Sequence, residues 1–373
     1  MEMQRPLVGS SPAIKAVLDE IACASRTDAK TLITGESGVG KEVVANMIHD
    51  HSRRRSAPFV AINCAGVPDS LLESELFGHV RGSFTDAHRD KMGWFERANH
   101  GTVFLDEIGE MSSRMQAVLL RFLENGEIQR VGSDRSSITV DVRIVAATNR
   151  DLSVRMADKQ FRDDLYYRLN VIRIAIPPLR ERAEDVLPLV NHFIRLSSEA
   201  FGVSQPELDD EAAVRLTAYS WPGNVRELKN VVERLVVRGK AGGIVAADLP
   251  REILDEWRST STAKAASAIA DKLYERMVVG GESFWSVVGE PFMARDLTRD
   301  DLRAVITRGL EHSRGSYKQL LQAFNVAPED YKRLLNFLRK YGCHMPFQKF
   351  RTIPVTAKSL EFHGEPQHLS KTG

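Results

Sequence analysis

The segment from Gly35 to Lys41 has the composition and spacing of a loop that binds phosphate groups. Glycines let the backbone curl so that its N–H groups point inward, and a following helix presents its positive N-terminal end to the anion. Lys41 would then reach the β- and γ-phosphates of a nucleoside triphosphate. Glu42 stands where most such loops carry a Ser or Thr that ligates Mg²⁺, so the metal ligand is expected elsewhere. The residues of this phosphate loop are Gly35, Glu36, Ser37, Gly38, Val39, Gly40 and Lys41.

A second group of candidate residues, Asp106 and Glu107, ends the apolar run 102–105. Asp106 would hold Mg²⁺ through its water shell, and Glu107 would orient or deprotonate an attacking water. An isolated Asp-Glu pair at a strand end is more often two solvated acids. Together with the phosphate loop, the pair predicts a site for nucleotide hydrolysis.

The elements that position these residues are predicted by short apolar runs alternating with helical patterns between residues 6 and 172. The runs lie at residues 31–34, 59–62, 103–105, 143–147 and 171–174. The alternation predicts an α/β fold with a parallel sheet covered by helices. Amphipathic spacing at 185–200, 210–219 and 225–238 then predicts a small all-helical domain over residues 173–250.

Three further segments are predicted beyond residue 250. Residues 251–295 are expected to be a linker and helical connector, because 258–268 are small and polar. A helix-turn-helix domain is predicted over residues 296–350, followed by a frayed tail over 351–373. The helical patterns of that domain lie at 302–312, 316–324 and 329–341.

The overall composition is that of a globular protein and excludes several classes. The 373 residues are 43% hydrophobic and 27% charged, and 51 basic residues nearly balance 50 acidic ones, so a nucleic-acid surface would have to be local. The three cysteines form no Cys-x-x-Cys pair, which argues against a zinc site or a disulfide framework. Without a signal peptide or an apolar run long enough for a membrane, the protein is expected in the cytoplasm, with no membrane partner.

Residues 7–250 resemble the AAA+ ATPase module of bacterial enhancer-binding proteins, the activators of sigma-54 RNA polymerase. Several ordered motifs besides the phosphate loop carry this resemblance. They are Asn63-Cys64-Ala65, Glu75-Leu76-Phe77-Gly78-His79, Phe104-Leu105-Asp106-Glu107-Ile108-Gly109-Glu110, Ala147-Thr148-Asn149-Arg150-Asp151-Leu152, residues 161–169, residues 178–182 and Trp221-Pro222-Gly223-Asn224-Val225-Arg226-Glu227-Leu228.

The resemblance implies an AAA+ P-loop NTPase with a helical lid, ATP as substrate and Mg²⁺ as cofactor. It implies a catalytic role for Lys41, Asp106 as the metal residue and Glu107 as the catalytic carboxylate. Glu42 is what this family carries after the loop lysine, and Val8 and Gly9 match its adenine-pocket segment.

Three arginines match family positions around the nucleotide. Arg162 and Arg168 match arginine fingers that reach the nucleotide of a neighbouring subunit, since hydrolysis needs cations around the γ-phosphate. Surface ion pairs with Asp163 or Asp164 are the alternative for these two residues. Arg226 matches the lid arginine that contacts the phosphates.

Polar residues at two further strand ends match residues that respond to the nucleotide. Thr148 and Asn149 would sense the γ-phosphate, and Asn63 resembles the residue that holds the catalytic glutamate away until the ring is ready. Each could instead satisfy buried backbone groups.

The segment 81–87 resembles the family's Gly-Ala-Phe-Thr-Gly-Ala loop, which engages sigma-54. Phe84 and Thr85 are retained, and an aromatic side chain at an exposed loop tip is otherwise unfavourable in water. Asp86 stands where the family has its second glycine, which implies either an altered loop geometry or a loss of the sigma-54 contact. Phe84 could alternatively pack into the module. The hairpin-like segment 128–133 matches the family's second pore-facing loop.

The C-terminal segment is locally basic. Residues 314–351 contain eight Lys and Arg against Glu329 and Asp330, a charge of about +6. Family members usually end in a helix-turn-helix that binds enhancer DNA, and Lys332 and Arg333 are the expected contacts with phosphates or base edges. A helical packing or oligomerisation element with a basic face is the alternative.

These features together predict a DNA-bound transcriptional activator. It would assemble into a ring, expected to be a hexamer, and hydrolyse ATP to remodel the closed complex of the sigma-54 RNA polymerase holoenzyme. Two other functions stay open at this point: an AAA+ ATPase that remodels another protein, and a DNA-binding repressor whose assembly state is switched by ATP.

Overall fold

The computed structural model describes residues 7–66, 68–83, 87–133, 137–239 and 243–350. These residues form two compact units that divide between Asp255 and Glu256. Each unit has its own apolar core. Within the described ranges, no helix is both long enough and apolar enough to cross a membrane.

The first unit contains the strands of the described residues. They are β1 (Thr31–Thr34), β2 (Phe59–Asn63), β3 (Gly78–His79), β4 (Lys91–Met92), β5 (Thr102–Asp106), β6 (Glu127–Ile128), β7 (Ile138–Thr139), β8 (Arg143–Thr148) and β9 (Ile172–Ala175). Five of them form a parallel sheet in the order β2–β5–β8–β1–β9, and β3–β4 and β6–β7 are short antiparallel pairs. The five predicted strands and the α/β fold class are confirmed.

The central strands of the sheet are buried on both faces, which explains their continuous apolar runs, whereas the edge strands β2 and β9 are only partly buried. β8 is buried along its whole length, and β5 is buried from Thr102 to Leu105. Thr34 pairs with Thr148, and Asn63 pairs with Asp106. The carboxyl ends of β1, β2, β5 and β8 therefore meet at one edge of the sheet, where the candidate residues lie.

The helices follow capping signals in the sequence. They are α1 (Pro12–Ser25), α2 (Lys41–Asp50), α3 (Asp69–Phe77), α4 (Trp94–Arg97), α5 (Ser113–Asn125), α6 (Leu152–Ala157), α7 (Asp163–Leu169), α8 (Val186–Phe201), α9 (Asp210–Ala218), α10 (Asn224–Arg238), α11 (Arg251–Val278), α12 (Glu290–Met293), α13 (Arg299–His312), α14 (Tyr317–Ala323) and α15 (Tyr331–Lys340). Side chains of Ser11, Ser112, Asp151 and Asp209 cap the starts of α1, α5, α6 and α9.

The helical lid predicted from amphipathic spacing is formed by α8, α9 and α10. Its core surrounds Trp221, which is fully buried and donates its indole N–H to the Leu216 carbonyl at 2.9 Å. The ring of Tyr219 packs edge-on against Trp221 at 5.0 Å between centroids. Trp221 is thus a packing residue of the lid core.

The expected linker at 258–268 is wrong, because these residues lie inside the continuous helix α11. Small and polar side chains suggested a linker, but four of these residues are alanines. Alanine has the highest helix propensity because it loses no side-chain entropy in a helix.

The second unit contains the three helices predicted near the C-terminus, α13, α14 and α15. Phe284 and Phe324 stack in its core at 5.7 Å between centroids. α13 begins earlier than predicted, because Thr298 and Asp301 form a reciprocal cap before Leu302. The Thr298 hydroxyl accepts the Asp301 N–H at 3.2 Å, and the Asp301 carboxylate accepts the Thr298 N–H at 2.8 Å.

One buried carboxylate ties the start of the described chain to the entrance of the lid. Asp185 has no exposed surface, and its Oδ1 accepts the N–H groups of Ser10 at 2.7 Å and Ser11 at 2.9 Å. Its Oδ2 accepts the Ser11 hydroxyl at 2.6 Å. Residues 7–11 are therefore fixed to the lid by hydrogen bonds to a charged group.

Replacing Asp185 by Ala is expected to lower the free energy of unfolding of the first unit by about 2–4 kcal/mol, because buried donors lose their acceptor. Urea unfolding followed by far-UV circular dichroism measures the change. The Asp185→Asn variant is the control, since its amide oxygen can still accept and its loss should be smaller. Equal losses in the two variants would contradict the anchoring role.

Candidate active site

The phosphate loop connects β1 to α2 with a tightly curled backbone. Gly38 and Gly40 have φ values of +80° and +109°, in the region that favours glycine. A Cβ on Gly38 would lie 2.4 Å from the carbonyl oxygen of Gly223 in the lid. Gly38 therefore allows both the curl of the loop and a direct backbone contact with the lid.

Lys41 is buried at the first turn of α2 and spans the loop. Its ammonium donates to the carbonyl oxygens of Gly35 at 3.1 Å and Glu36 at 3.3 Å. The same nitrogen lies 3.5 Å from Oε1 of Glu107. This arrangement brings the loop cation and the strand-end carboxylate together, as the sequence predicted. Glu42 is exposed beside it.

Asp106 and Glu107 lie at the end of β5, within reach of the loop. Glu107 adopts a left-handed backbone with φ of +53°, and its N–H donates to Oδ1 of Asp106 at 2.9 Å. Burial, and then the neighbouring charge of Glu107, raise the pKa of Asp106. A divalent cation would relieve both effects, so the residues present fit a Mg²⁺ ion.

The polar strand-end residues surround these carboxylates. The backbone N–H of Asn149 donates to Oε2 of Glu107 at 3.1 Å. The side chain of Asn63 accepts the Ala65 N–H at 2.8 Å, and the Thr148 hydroxyl accepts the Arg150 N–H at 3.0 Å. Asn63 and Thr148 thus satisfy backbone groups here. The sensing of a γ-phosphate by Thr148 and Asn149 stays a prediction, and so does the hold of Asn63 on Glu107.

Arg226 comes from the lid and contacts the phosphate loop. Its Nη1 donates to the Ser37 hydroxyl at 2.9 Å, and its backbone N–H donates to the Gly38 carbonyl at 3.2 Å. The predicted lid arginine therefore lies against the loop that would hold the phosphates.

Arg162 and Arg168 lie at the two ends of α7, with partners close in sequence or on α5. Arg162 forms a two-point ion pair with Asp164 at 3.0 and 2.7 Å, and its backbone N–H donates to the side chain of Gln116 at 2.9 Å. Arg168 donates to the Leu123 carbonyl at 3.4 Å. The ion pair expected as the alternative for Arg162 is present, and the role across subunits stays a prediction.

The adenine-pocket segment lies against the lid. Val8 packs on the lid core, and a Cβ on Gly9, whose φ is +153°, would lie 2.8 Å from the carboxyl carbon of Asp185. The segment is thus placed beside the entrance of the lid.

Phe84 and Thr85 lie outside the described residues. The residues on either side are held together, since the Gly82 N–H donates to the Ala87 carbonyl at 2.8 Å. The second loop supports this base, because Val80 donates its N–H to the Val131 carbonyl at 3.1 Å.

Lys332 and Arg333 are exposed on α15 in the second unit. The Arg333 guanidinium lies 4.2 Å from the ring centre of Trp285, and its Nη1 is 3.6 Å from Oδ1 of Asp330. Stacking on Trp285 holds the Arg333 side chain in one orientation.

The sequence interpretation gave no role to three lid residues that contact the phosphate loop, nor to Asp185. Arg180 forms a two-point ion pair with Glu36, Asn224 donates to Glu36 and Ser37, and the buried Arg182 donates to the Val39 carbonyl at 3.3 Å. Asp185 joins the lid to Ser10 and Ser11 instead. Arg180, Arg182 and Asn224 lie in motifs of the resemblance, but a partner far away in sequence cannot be identified from a motif.

Two family models match this chain. Residues 7–175 match the model described as "Sigma-54 interaction domain", and residues 180–266 match "AAA+ ATPase lid domain". The boundary between the two matches lies between the last strand of the sheet and the lid.

Several bacterial regulators are similar to this chain. Regulatory protein AtoC of Escherichia coli (strain K12) is 49% identical over 247 residues, which are 66% of this chain and 53% of that protein. Nitric oxide reductase transcription regulator NorR2 of Cupriavidus necator is 40% identical over 342 residues, which are 90% of this chain and 63% of that protein. The chain spans about half the length of several of the curated relatives it matches.

A solved structure of NtrX from Brucella abortus in complex with ATP is also similar. It is 34% identical with a TM-score of 0.61, over 76% of this chain and 68% of that chain. A structure of the same protein with ADP is 35% identical with a TM-score of 0.61, over 72% of this chain and 63% of that chain.

Replacing Gly38 by Ala is expected to destabilise the first unit more than replacing Gly40 by Ala. Both positions have left-handed φ values, so each variant loses roughly 1–2 kcal/mol through backbone strain. At Gly38 the new Cβ also meets the lid, and this clash lowers the stability by roughly 1–3 kcal/mol more. At Gly40 there is no such clash, because nothing lies within 4 Å of the Cβ position. Urea unfolding midpoints measure the difference. Equal midpoints would argue against a tight contact between Gly38 and Gly223.

Proposed function

Because this chain belongs to the sigma-54-interacting family of AAA+ ATPases, we propose that it is a transcriptional activator that hydrolyses ATP to remodel the closed complex of sigma-54 RNA polymerase. One observation carries the hydrolytic part of this proposal. Three elements meet at the phosphate loop. Lys41 at the start of α2 donates to a loop carbonyl, Glu107 at the end of β5 lies next to Lys41, and Arg226 of the lid donates to Ser37.

The proposed substrate is ATP, held mainly by the phosphate loop. Inward N–H groups and the N-terminus of α2 would bind the phosphates, with Lys41 neutralising their charge. Val8 and Gly9 would border the adenine. The ATP complex of the similar NtrX structure supports this assignment.

Hydrolysis is assigned to the carboxylates at the end of β5. Asp106 would hold Mg²⁺, which when bound neutralises the charge on the phosphate oxygens. Glu107 would take a proton from the attacking water. Its left-handed backbone and the Asn149 N–H on its carboxylate hold it at the sheet edge, 3.5 Å from Lys41. Thr148 and Asn149, where β8 ends, would sense the γ-phosphate. Asn63, at the end of β2, would hold Glu107 away until the ring is ready.

Full activity is proposed to need a ring, with a hexamer as the expected form. Arg162 and Arg168 would reach the nucleotide of the adjacent subunit. The pair between Arg162 and Asp164 is solvent-exposed, so water screens it and it opposes such a movement only weakly. The backbone of Arg162 stays anchored through Gln116.

Contact with sigma-54 is assigned to Phe84 and Thr85. Their loop starts from a base closed by the hydrogen bond between Gly82 and Ala87, next to the second loop around Val131. A loop on a fixed base can transmit a movement of the sheet domain to its tip.

Binding to enhancer DNA is assigned to the helices α13, α14 and α15. Lys332, Arg333, Arg339 and Lys340 are exposed on α15. Such a surface would neutralise phosphates, and the stacked Arg333 would present its guanidinium with little loss of side-chain entropy.

Transcription from a sigma-54 promoter with purified components tests the proposed function. The unchanged chain should form open complexes only with ATP, and Glu107→Gln should reduce kcat for ATP hydrolysis by roughly 10²–10⁴-fold while nucleotide still binds. Phe84→Ala should keep ATP turnover and lose open complexes.

The control for Phe84→Ala is Phe201→Ala, which removes a Phe ring that is exposed at the end of α8. It should transcribe like the unchanged chain. Unchanged open-complex formation by Phe84→Ala would reject the sigma-54 contact. ATP turnover with no open complexes from the unchanged chain would favour another protein target.

A further inference from the structure

We propose that Asn224 and Arg180 are positioning residues that set the geometry of the phosphate loop from the lid, acting through Glu36 and Ser37. This inference rests on the proposed function of the same site. It assigns to the Glu36 side chain a role other than phosphate binding, because its carboxylate is held by the lid.

The side chain of Asn224 joins the lid to the phosphate loop with both its oxygen and its nitrogen. It is the first residue of α10 and has no exposed surface. Its Oδ1 accepts the Leu179 N–H at 2.8 Å, and its Nδ2 donates to Oε2 of Glu36 and to the Ser37 carbonyl, both at 3.1 Å. One amide thus connects the entrance of the lid, the start of α10 and two consecutive loop residues.

The backbone of Asn224 is also specialised. Its φ of +54° lies in the left-handed region, which Asn tolerates better than most residues. Glycine would adopt the same backbone without strain. Substitution by glycine therefore removes the side-chain hydrogen bonds and keeps the left-handed backbone.

The carboxylate of Glu36 is the point where the lid holds the loop. Arg180 binds it with two parallel hydrogen bonds, Nη1 to Oε2 at 2.8 Å and Nη2 to Oε1 at 2.6 Å. The Arg180 contact, followed by that of Asn224, lowers the pKa of Glu36 to about 2. Glu36 is therefore an anion at neutral pH, and the paired geometry fixes its orientation as well as its charge.

Arg226 lies two residues after Asn224 on the same helix and donates to Ser37 at 2.9 Å. A rotation of α10 that moves Arg226 toward a bound phosphate must also move Asn224, because both lie on one rigid helix start. Glu36 and Ser37 would follow through their hydrogen bonds. The lid and the loop would then share one coupled equilibrium rather than respond separately to nucleotide.

A purely stabilising role is the competing explanation. The Arg180–Glu36 pair is about half exposed, at 44% and 42% of the two side chains, and exposed pairs add little to stability. A coupling role instead predicts a large effect on nucleotide affinity with little effect on unfolding.

The test measures the Kd for fluorescently labelled ADP, ATP turnover and the urea unfolding midpoint on the full chain. Asn224→Gly and Glu36→Gln should each raise the Kd for ADP by about tenfold, with a similar fall in kcat/KM for ATP. Glu36→Gln should leave the unfolding midpoint unchanged, since its side chain is nearly isosteric and its ion pair is exposed. It thus keeps the test informative if Asn224→Gly folds poorly. Arg180→Lys should give an intermediate Kd, because lysine keeps the charge but loses the fork.

The matched control is Arg195→Ala, which removes another exposed lid ion pair, with Glu199 at 2.9 Å. Its Kd and turnover should equal those of the unchanged chain. ADP binding by Glu36→Gln and Asn224→Gly within about twofold of the unchanged chain would overturn the positioning role.

The outcomes separate this inference from the proposed function. If the unchanged chain binds ADP and turns over ATP while the Glu36 and Asn224 variants behave identically, only the inference fails. If the unchanged chain binds ADP but does not hydrolyse ATP, the proposed function fails, and the ADP affinities of the variants still decide the inference.

Discussion

The backbone contact between Gly38 and Gly223 is the constraint on which the candidate site depends. No side chain fits between the loop and the lid there, because a Cβ would lie 2.4 Å from the Gly223 oxygen. The contact brings the start of α10 against the loop, so that Asn224 and Arg226 reach Glu36 and Ser37. The lid thus forms one wall of the phosphate site.

The opposite wall is built by the parallel sheet. Because β5 lies between β2 and β8, residues from three neighbouring strands meet at one edge around Glu107. A buried sheet of this kind holds strand ends rigidly. Rigid strand ends keep Asp106 buried and next to Glu107, and these two causes, burial first, raise the pKa of Asp106.

Much of the fold follows from local sequence patterns. Most of the features that were not predicted are contacts between residues far apart in sequence. The five sheet strands were predicted from short apolar runs, which in the central strands reflect burial on both faces. The expected linker at 258–268 failed because small residues suit both a linker and a helix, and its alanines favour the helix. Phosphate-loop and carboxylate positions were predictable from spacing. The pairing of Glu36 with Arg180, 144 residues away, was not, since no local pattern encodes it.

Amide hydrogen exchange with and without ADP tests the joint response of loop and lid most directly. Residues 35–41 and residues 224–226 should both exchange more slowly when ADP is bound, since the Arg226 N–H is hydrogen-bonded to Gly38 of the loop. Exchange in α15 should not change. Protection confined to residues 35–41, with unaltered exchange at 224–226, would contradict the joint response of the loop and the lid.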